Sequence, residues 1–172
     1  MKLDTQLKSA DCDVYIVSVG TPVDENHQPV LDYVEKSCRA IGAVLKPGDV
    51  VMLRSTVPVG TSRNHCLPWL EESSGLKAGK DFSLVFAPER TIAGKAIKEL
   101  HTLPQIIGAL DSQGAEIGAA IFREITPTIV MLDSLEAAEM VKLVNNTFRD
   151  TIFSFANEIT LVCERYGLDA FK

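Results

Sequence analysis

Residues 50–61 read Val50-Val51-Met52-Leu53-Arg54-Ser55-Thr56-Val57-Pro58-Val59-Gly60-Thr61. The apolar run over 50–53 predicts a strand buried on both faces. It stops at hydroxyls, a proline and a glycine, and a helical pattern begins near Thr61. In an open parallel sheet, ligands sit beyond the carboxyl ends of strands. This loop is therefore the first candidate site. Gly20-Thr21-Pro22 and Ala87-Pro88-Glu89-Arg90 have the same form, each following a strand-like run, so all three loops are expected to face one crevice.

Outward from this stretch, strands are predicted over 13–20, 82–86, 105–108 and 128–131. Helices are predicted through Tyr33–Leu45 spacing, over 61–72 with Pro68 kinking or shortening it, as a turn over 94–100, and over 113–122 with alanines and glycines on the packing face. Residues 1–12 read as a leading helical turn. The alternation argues for parallel βα units with right-handed crossovers, an α/β fold of about five strands. From about 134 to 166 the apolar positions Ala137, Met140, Val141, Val144, Phe148, Ile152, Phe155, Ile159 and Val162 recur at helical spacing. Asp133 and Glu136 suggest a capping pair at its start and Gly167 a stop. Such a helix spans about 50 Å, so it is expected to leave the sheet and pack on a second domain or a partner. The division is 1–132 and 133–172.

The composition suits a soluble globular chain: 172 residues, 46% hydrophobic and 23% charged. A net charge of −6 without a basic stripe disfavours nucleic acid and anionic membrane surfaces. Four cysteines and three histidines lie at irregular spacings, which gives no metal motif. No secretory or transmembrane segment opens the chain, which predicts the cytoplasm and reduced thiols.

Several residues carry candidate chemistry, each beside a plainer reading. Thr21 and Pro22 either contact a nucleotide or form an ordinary turn. Ser55 and Thr56 either donate to a ligand or cap a helix, with Gly60 and Thr61 opening a helix end that favours anions. Glu89 is either a general base or a surface or capping acid. Arg90 can bind a carboxylate or phosphate. Glu139, Lys142, Asn146, Arg149 and Asp150 share a helix face, either a solvated stripe or a site. The mid-helix run Asn145-Asn146-Thr147 is unfavourable, by up to about 0.7 kcal/mol per residue. A site would account for it, with Lys142 and Asn146 facing an oxyanion.

Taken together, Val19-Gly20-Thr21-Pro22, the string 55–61, Pro88-Glu89 and Glu139-x-x-Lys142-x-x-x-Asn146 leading to Asn157-Glu158 resemble the UDP-glucose/GDP-mannose dehydrogenase family. Within it, 87–90 and 141–149 look most like the UDP-N-acetylmannosamine branch. UDP-glucose dehydrogenases usually have an aromatic residue where Arg90 stands. The resemblance implies a Rossmann-like NAD-binding domain and a nucleotide-sugar 6-dehydrogenase of polysaccharide biosynthesis. Such an enzyme oxidises a primary alcohol of a UDP-sugar to a carboxylate with two NAD, through a cysteine thiohemiacetal and thioester. It further implies that Gly20, Thr21, Pro22, Ser55 and Thr56 lie along NAD and that Thr56 holds water or cofactor near the reaction. Glu89 would be the base of hydrolysis, and Lys142 and Asn146 would steady the oxyanion. Glu89, Arg90, Lys142, Asn146 and Arg149 would touch the sugar nucleotide, and the long helix would make a homodimer.

The chain departs from this pattern in three places. It has no Gly-x-Gly-x-x-Gly. Cys163 lies within the helix pattern rather than in a Gly-rich cysteine motif. Ala93 stands where the UDP-glucose branch has a second glutamate. The resemblance therefore implies the second half of the cofactor domain and the start of the central domain, inactive alone. The alternatives are a UDP-glucose 6-dehydrogenase segment or a non-catalytic α/β binding or dimerisation module.

Overall fold

A computed structural model describes residues 7, 12–92 and 94–170. The expected leading turn over 1–12 lies almost wholly outside these residues, as does Ala93. Five strands form one sheet in the spatial order β1 (Val14–Val17), β2 (Val50–Leu53), β3 (Ser83–Phe86), β4 (Gln105–Ala109), β5 (Ile129–Leu132). Every residue of β2 and β3 is buried, as continuous apolar runs covered on both faces require. Helices α1 (Asp32–Gly42), α2 (Leu67–Ser74) and α5 (Leu135–Arg165) share a core with one face of the sheet. Helix α3 (Ala96–Thr102) is a short element between β3 and β4, and α4 (Ser112–Arg123) covers the other face. The small residues Gly114, Gly118 and Ala119, with Phe122, are the buried side of α4.

The sheet departs from the all-parallel expectation at one seam. β1–β3 are mutually parallel, but β4 runs antiparallel to β3, and β5 follows β4 in parallel. The connection over 87–104 carries only the seven-residue α3, with none of its residues buried. A parallel return needs a helix packed back across the sheet. Without one, β4 starts beside the carboxyl end of β3.

The helix expected over 61–72 is a π-helical turn, Ser62–Cys66, followed by α2 as far as Ser74. The widened turn ends two residues before Pro68, whose ring cannot stack on a regular preceding turn. The long helix is observed, with two adjustments. Its cap is Ser134, whose side chain accepts from the Ala137 N–H at 3.1 Å, rather than Asp133. Gly167, at φ 66°, ends it in the left-handed conformation expected of a terminating glycine.

Helix α5 starts on the sheet and leaves it. Leu135, Ala138 and Glu139 are buried, whereas Phe148 and Phe155 are about two-thirds exposed. Its first turn lies so close to β4 that a Cβ on Gly108 would stand 2.2 Å from the Ser134 carbonyl oxygen. No helix among the described residues is long and apolar enough to cross a membrane.

Candidate functional site

The three loops beyond β1–β3 are bonded together. The Ser55 hydroxyl donates to the Val19 carbonyl at 2.6 Å, and Thr21 Oγ1 donates to the Thr56 carbonyl at 2.6 Å. These hydroxyls, candidates for ligand contact, are thus spent on joining the β1 and β2 loops. Gly20 and Pro22 are exposed beside them, and a Cβ on Gly20 would meet nothing within 4 Å. Thr56 is half-buried at the junction. The backbone at Gly20 is thus left uncovered beside the joined loops.

Glu89 lies in the third of these loops. Its Oε2 accepts from Arg54 Nη2 at 2.5 Å, and its Oε1 accepts from the Thr91 and Arg90 N–H groups at 2.9 and 2.7 Å. Burial pushes the carboxyl up, but the Thr91 N–H, the Arg54 guanidinium and the Arg90 N–H outweigh it and hold it at about 2. Glu89 is therefore ionised. A carboxylate held so low is a weak base, because base catalysis favours a group poised near the working pH.

Arg54 stands in the stretch that decides the fold, yet sequence reasoning gave it no role. It is buried, donates to Gln105 Oε1 at 3.3 Å, and lies over the Phe122 ring at 4.8 Å. Gln105 in turn donates to the Pro88 carbonyl at 3.2 Å. Reversal of β4 brings Gln105 there, so sequence offered only one hint: a cation directly after a fully apolar strand.

Across from Glu89, helix α5 passes the end of the sheet. Arg90, Lys142, Asn146 and Arg149 line one cavity of about 180 Å³, together with Ile92 and Asn145. Arg90 is steadied by donating to the Pro104 carbonyl at 2.7 Å. Lys142 is half-buried, and burial, with Arg149, Arg90 and Arg54 nearby, pulls its pKa below the usual lysine range despite Glu89. Arg90, Lys142 and Arg149 around one small cavity favour an anionic ligand. Asn146 adds an amide that can donate or accept.

One expectation about this helix is corrected. Glu139 does not join the face of Lys142 and Asn146 in a solvated stripe or a ligand site; it is fully buried. Its carboxylate accepts from the Gly60 and Ser62 N–H groups at 2.5 and 2.8 Å. The helix end at Gly60 and Thr61, expected to favour an anion, thus already holds the chain's own carboxylate. Asp150 lies exposed beyond the cavity residues.

The cysteines stand apart from this site. Cys38 and Cys66 are buried in the core, where a hydrogen bond with Cys38 and burial push the Cys66 thiol up, the opposite of an activated nucleophile. Cys163 is on α5, about four turns past Arg149. Among the described residues, no group of three His, Cys, Asp or Glu side chains is arranged to hold a metal.

Comparison with known proteins agrees with this layout. Residues 1–126 match the sequence profile of the UDP-glucose/GDP-mannose dehydrogenase family NAD-binding domain, and 136–172 match that family's central domain. The chain is 34% identical over 169 residues to UDP-N-acetyl-D-mannosamine dehydrogenase of Campylobacter jejuni, covering 94% of this chain and 42% of that protein. Its fold matches the solved UDP-D-ManNAc dehydrogenase of Pyrococcus horikoshii with a TM-score of 0.87 at 34% identity, over 94% of this chain and 38% of that one. It matches a ternary complex of GDP-mannose dehydrogenase from Pseudomonas aeruginosa with a TM-score of 0.87 at 36% identity, over 93% and 37%. The chain thus spans about two-fifths of the length of these relatives. The loops, the reversed β4, the long helix and the two profile matches together make this chain a member of the UDP-glucose/GDP-mannose dehydrogenase family.

Proposed function

We propose that this chain is part of a nucleotide-sugar 6-dehydrogenase acting on UDP-N-acetylmannosamine or a related UDP-sugar. Residues 1–132 belong to its NAD-binding domain and 133–172 begin its central domain. One observation carries the reading: Arg90, Lys142 and Arg149 surround a single cavity of about 180 Å³ that also holds Asn146. A nucleotide diphosphate needs such cationic donors. UDP-N-acetylmannosamine is favoured over UDP-glucose by Arg90, and by a relative acting on that sugar at 34% identity. We assign the protein to the cytoplasm, in keeping with its four free thiols.

NAD suits the exposed loop of Gly20 and Pro22, where a backbone without a Cβ lets a flat group approach closely. Gly20, Thr21, Pro22, Ser55 and Thr56 would line it, and its chemistry is hydride acceptance from the alcohol carbon. The chain's own residues hold the substrate and steady charge. Lys142 and Asn146 donate to the alcohol oxygen, which carries negative charge once its proton has passed to water and before hydride leaves the carbon. Glu89 orients water beside Thr56; for it to take a proton, its pair with Arg54 must open when substrate enters. Arg90 and Arg149 hold the phosphates.

These 172 residues contain neither a Gly-x-Gly-x-x-Gly nor a thiol at the cavity, so they alone do not complete the oxidation. Calorimetric titration of the chain with UDP-N-acetylmannosamine, UDP-glucose and NAD tests the proposal, alongside absorbance at the NADH band. Weak UDP-sugar binding that disappears in Arg90→Ala and Arg149→Ala is expected, with no NADH formed. Absence of any nucleotide-sugar binding at millimolar concentration would overturn the cavity assignment. NADH formation by the chain alone would overturn its inactivity.

A second reading rests on the exposed apolar face of α5, which includes Phe148, Ile152 and Phe155. In that reading α5 pairs with its copy in a homodimer, as a helix this apolar on its outer face requires cover. If the chain dimerises yet binds no nucleotide sugar, a non-catalytic dimerisation module is the better description.

A further inference from the structure

Glu139 is fully buried, and both of its carboxylate oxygens are committed to one loop. Oε2 accepts from the Gly60 N–H at 2.5 Å and Oε1 from the Ser62 N–H at 2.8 Å, across 79 and 77 residues of chain. A helix entrance is usually capped by a residue of its own. Here Thr61, at that entrance, turns its hydroxyl back to the Pro58 carbonyl at 2.7 Å. The cap comes instead from another helix. One turn earlier on α5, Glu136 accepts twice from Arg63, at 2.5 and 3.3 Å, so two successive turns are tied to the same segment.

The loop so held is the one that carries Ser55 and Thr56. The helix so held carries Lys142 one turn after Glu139, and Asn146 one turn after that. Apolar packing alone lets a helix slide or rotate by small amounts at little cost. Two charge-assisted hydrogen bonds to fixed N–H groups resist this, because each depends steeply on distance and angle. Advancing a helix by one residue turns a side chain by about 100° and shifts it by about 1.5 Å. Either change would take Lys142 out of its cavity. A buried carboxylate is costly to desolvate, and an apolar side chain would fill the same space more cheaply. Its presence here makes sense if register is what it secures.

We infer that Glu139 is a positioning residue: its carboxylate fixes the rotation and register of α5 on the 55–62 loop, and so sets Lys142 and Asn146 in the cavity they share with Arg90 and Arg149. The catalytic meaning of this placement rests on the proposed function. The placement itself does not, and it has a readout of its own.

The test uses the whole chain in four forms: wild type, Glu139→Gln, Glu139→Asp and Leu135→Ala. Glu139→Gln replaces one acceptor with an amide donor that faces an N–H group. Leu135→Ala truncates a fully buried side chain one turn earlier on the same helix and leaves both hydrogen bonds in place. Circular dichroism selects a temperature at which all forms are folded. Lys142 is then titrated by NMR through its ε-carbon, a reading that needs no ligand. Its neighbours Arg149, Glu89, Arg90 and Arg54 are the same in every form.

In wild type and Leu135→Ala, Lys142 is expected to titrate below the ordinary lysine range. In Glu139→Gln it is expected to move back up by about half a unit or more as the ammonium regains water. UDP-N-acetylmannosamine affinity should fall about tenfold in Glu139→Gln and stay within about threefold of wild type in Leu135→Ala. An unmoved Lys142 in Glu139→Gln overturns the inference. So does an equal movement in Leu135→Ala, since packing loss would then suffice. If Glu139→Gln does not fold, Glu139→Asp, which keeps the charge but shortens the reach, stands in for it under the same criteria. If wild type binds no nucleotide sugar, the cavity assignment fails, while the Lys142 titration still decides the role of Glu139.

Discussion

Arg54 and Glu89 close the carboxyl ends of β2 and β3 with an Nη2–Oε2 contact of 2.5 Å, the arginine buried and the glutamate half-exposed. The pair sets the ionisation of the Glu89 carboxylate. Arg54→Met keeps an apolar stem and removes the guanidinium. The Glu89 carboxyl, now at about 2, should then rise by about one unit or more, as burial is opposed only by the Thr91 and Arg90 N–H groups. Loss of the bond to Gln105 and of the stack on Phe122 should cost about 1–3 kcal/mol of stability. Carboxyl-carbon NMR and urea unfolding check the two effects; an unshifted Glu89 would mean the pair does not set its ionisation.

The same depressed carboxyl makes stability depend on pH. The Glu89 carboxyl lies at about 2 when folded and at about 4.3 when unfolded. In that window the unfolded state binds the extra proton. The stabilisation is therefore complete above the unfolded value and is lost as pH falls towards the folded one. Because the Glu89 side chain is 46% exposed, solvent screening should hold its share below about 1 kcal/mol. Glu71 and Glu136 are also lowered, by Lys77 and Arg63. Wild type should accordingly lose stability on acidification overall. Glu89→Gln should lose less, and urea midpoints at neutral pH and near pH 3 measure the difference. Parallel slopes in the two proteins would contradict it.

Much of this molecule was legible because local pattern determines it. The run 50–53 is apolar without interruption and is a fully buried strand at those bounds. The 3.6-residue recurrence past Leu135 is a helix through Arg165. The direction of β4 was not legible, because Gln105-Ile106-Ile107-Gly108 reads equally well in either sense, and the preceding connection decides it. Nor was the burial of Glu139. A glutamate three residues before a lysine looks like a solvated pair, and its partners are 77 and 79 residues away. The same limit applies to Ser55 and Thr21, whose hydroxyls satisfy carbonyls on a neighbouring loop. Residue type marked the site; only tertiary contacts reveal which groups face a ligand and which hold the frame.

Gly108 is where sheet and long helix touch. A Cβ there would lie 2.2 Å from the Ser134 carbonyl oxygen and 2.8 Å from the Ala138 Cβ. Neither neighbour can swing away, as one is backbone and the other a bare methyl group. Gly108→Ala should therefore push the start of α5 off β4 and cost about 1–3 kcal/mol, the usual penalty of overpacking. It should also disturb the Glu139 bonds one turn further on. A thermal melt compared with Gly20→Ala, where a Cβ meets open space, gives the reading. Equal melting temperatures would show that the helix start can move without cost.

The outer half of α5 offers Phe148, Ile152, Phe155, Ile159 and Val162, each between about half and two-thirds exposed. Their alternating steps of four and three residues form a heptad seam, the spacing with which one helix packs along another. In the proposed homodimer these side chains meet their counterparts. Within the chain Phe148 and Phe155 sit on exposed helix, so replacing them should leave the sheet core intact. Buried aromatic anchors at an interface each contribute about 2 kcal/mol or more. Phe148→Glu with Phe155→Glu should then weaken association by a factor of about a hundred or more, and introduce like charges across the seam. Light scattering after size-exclusion chromatography should give a dimer mass for wild type and a monomer mass for the double variant, with unchanged sheet signal in circular dichroism. A monomeric wild type at about 50 µM, a concentration at which specific dimers normally persist, would remove the case for self-pairing through this helix.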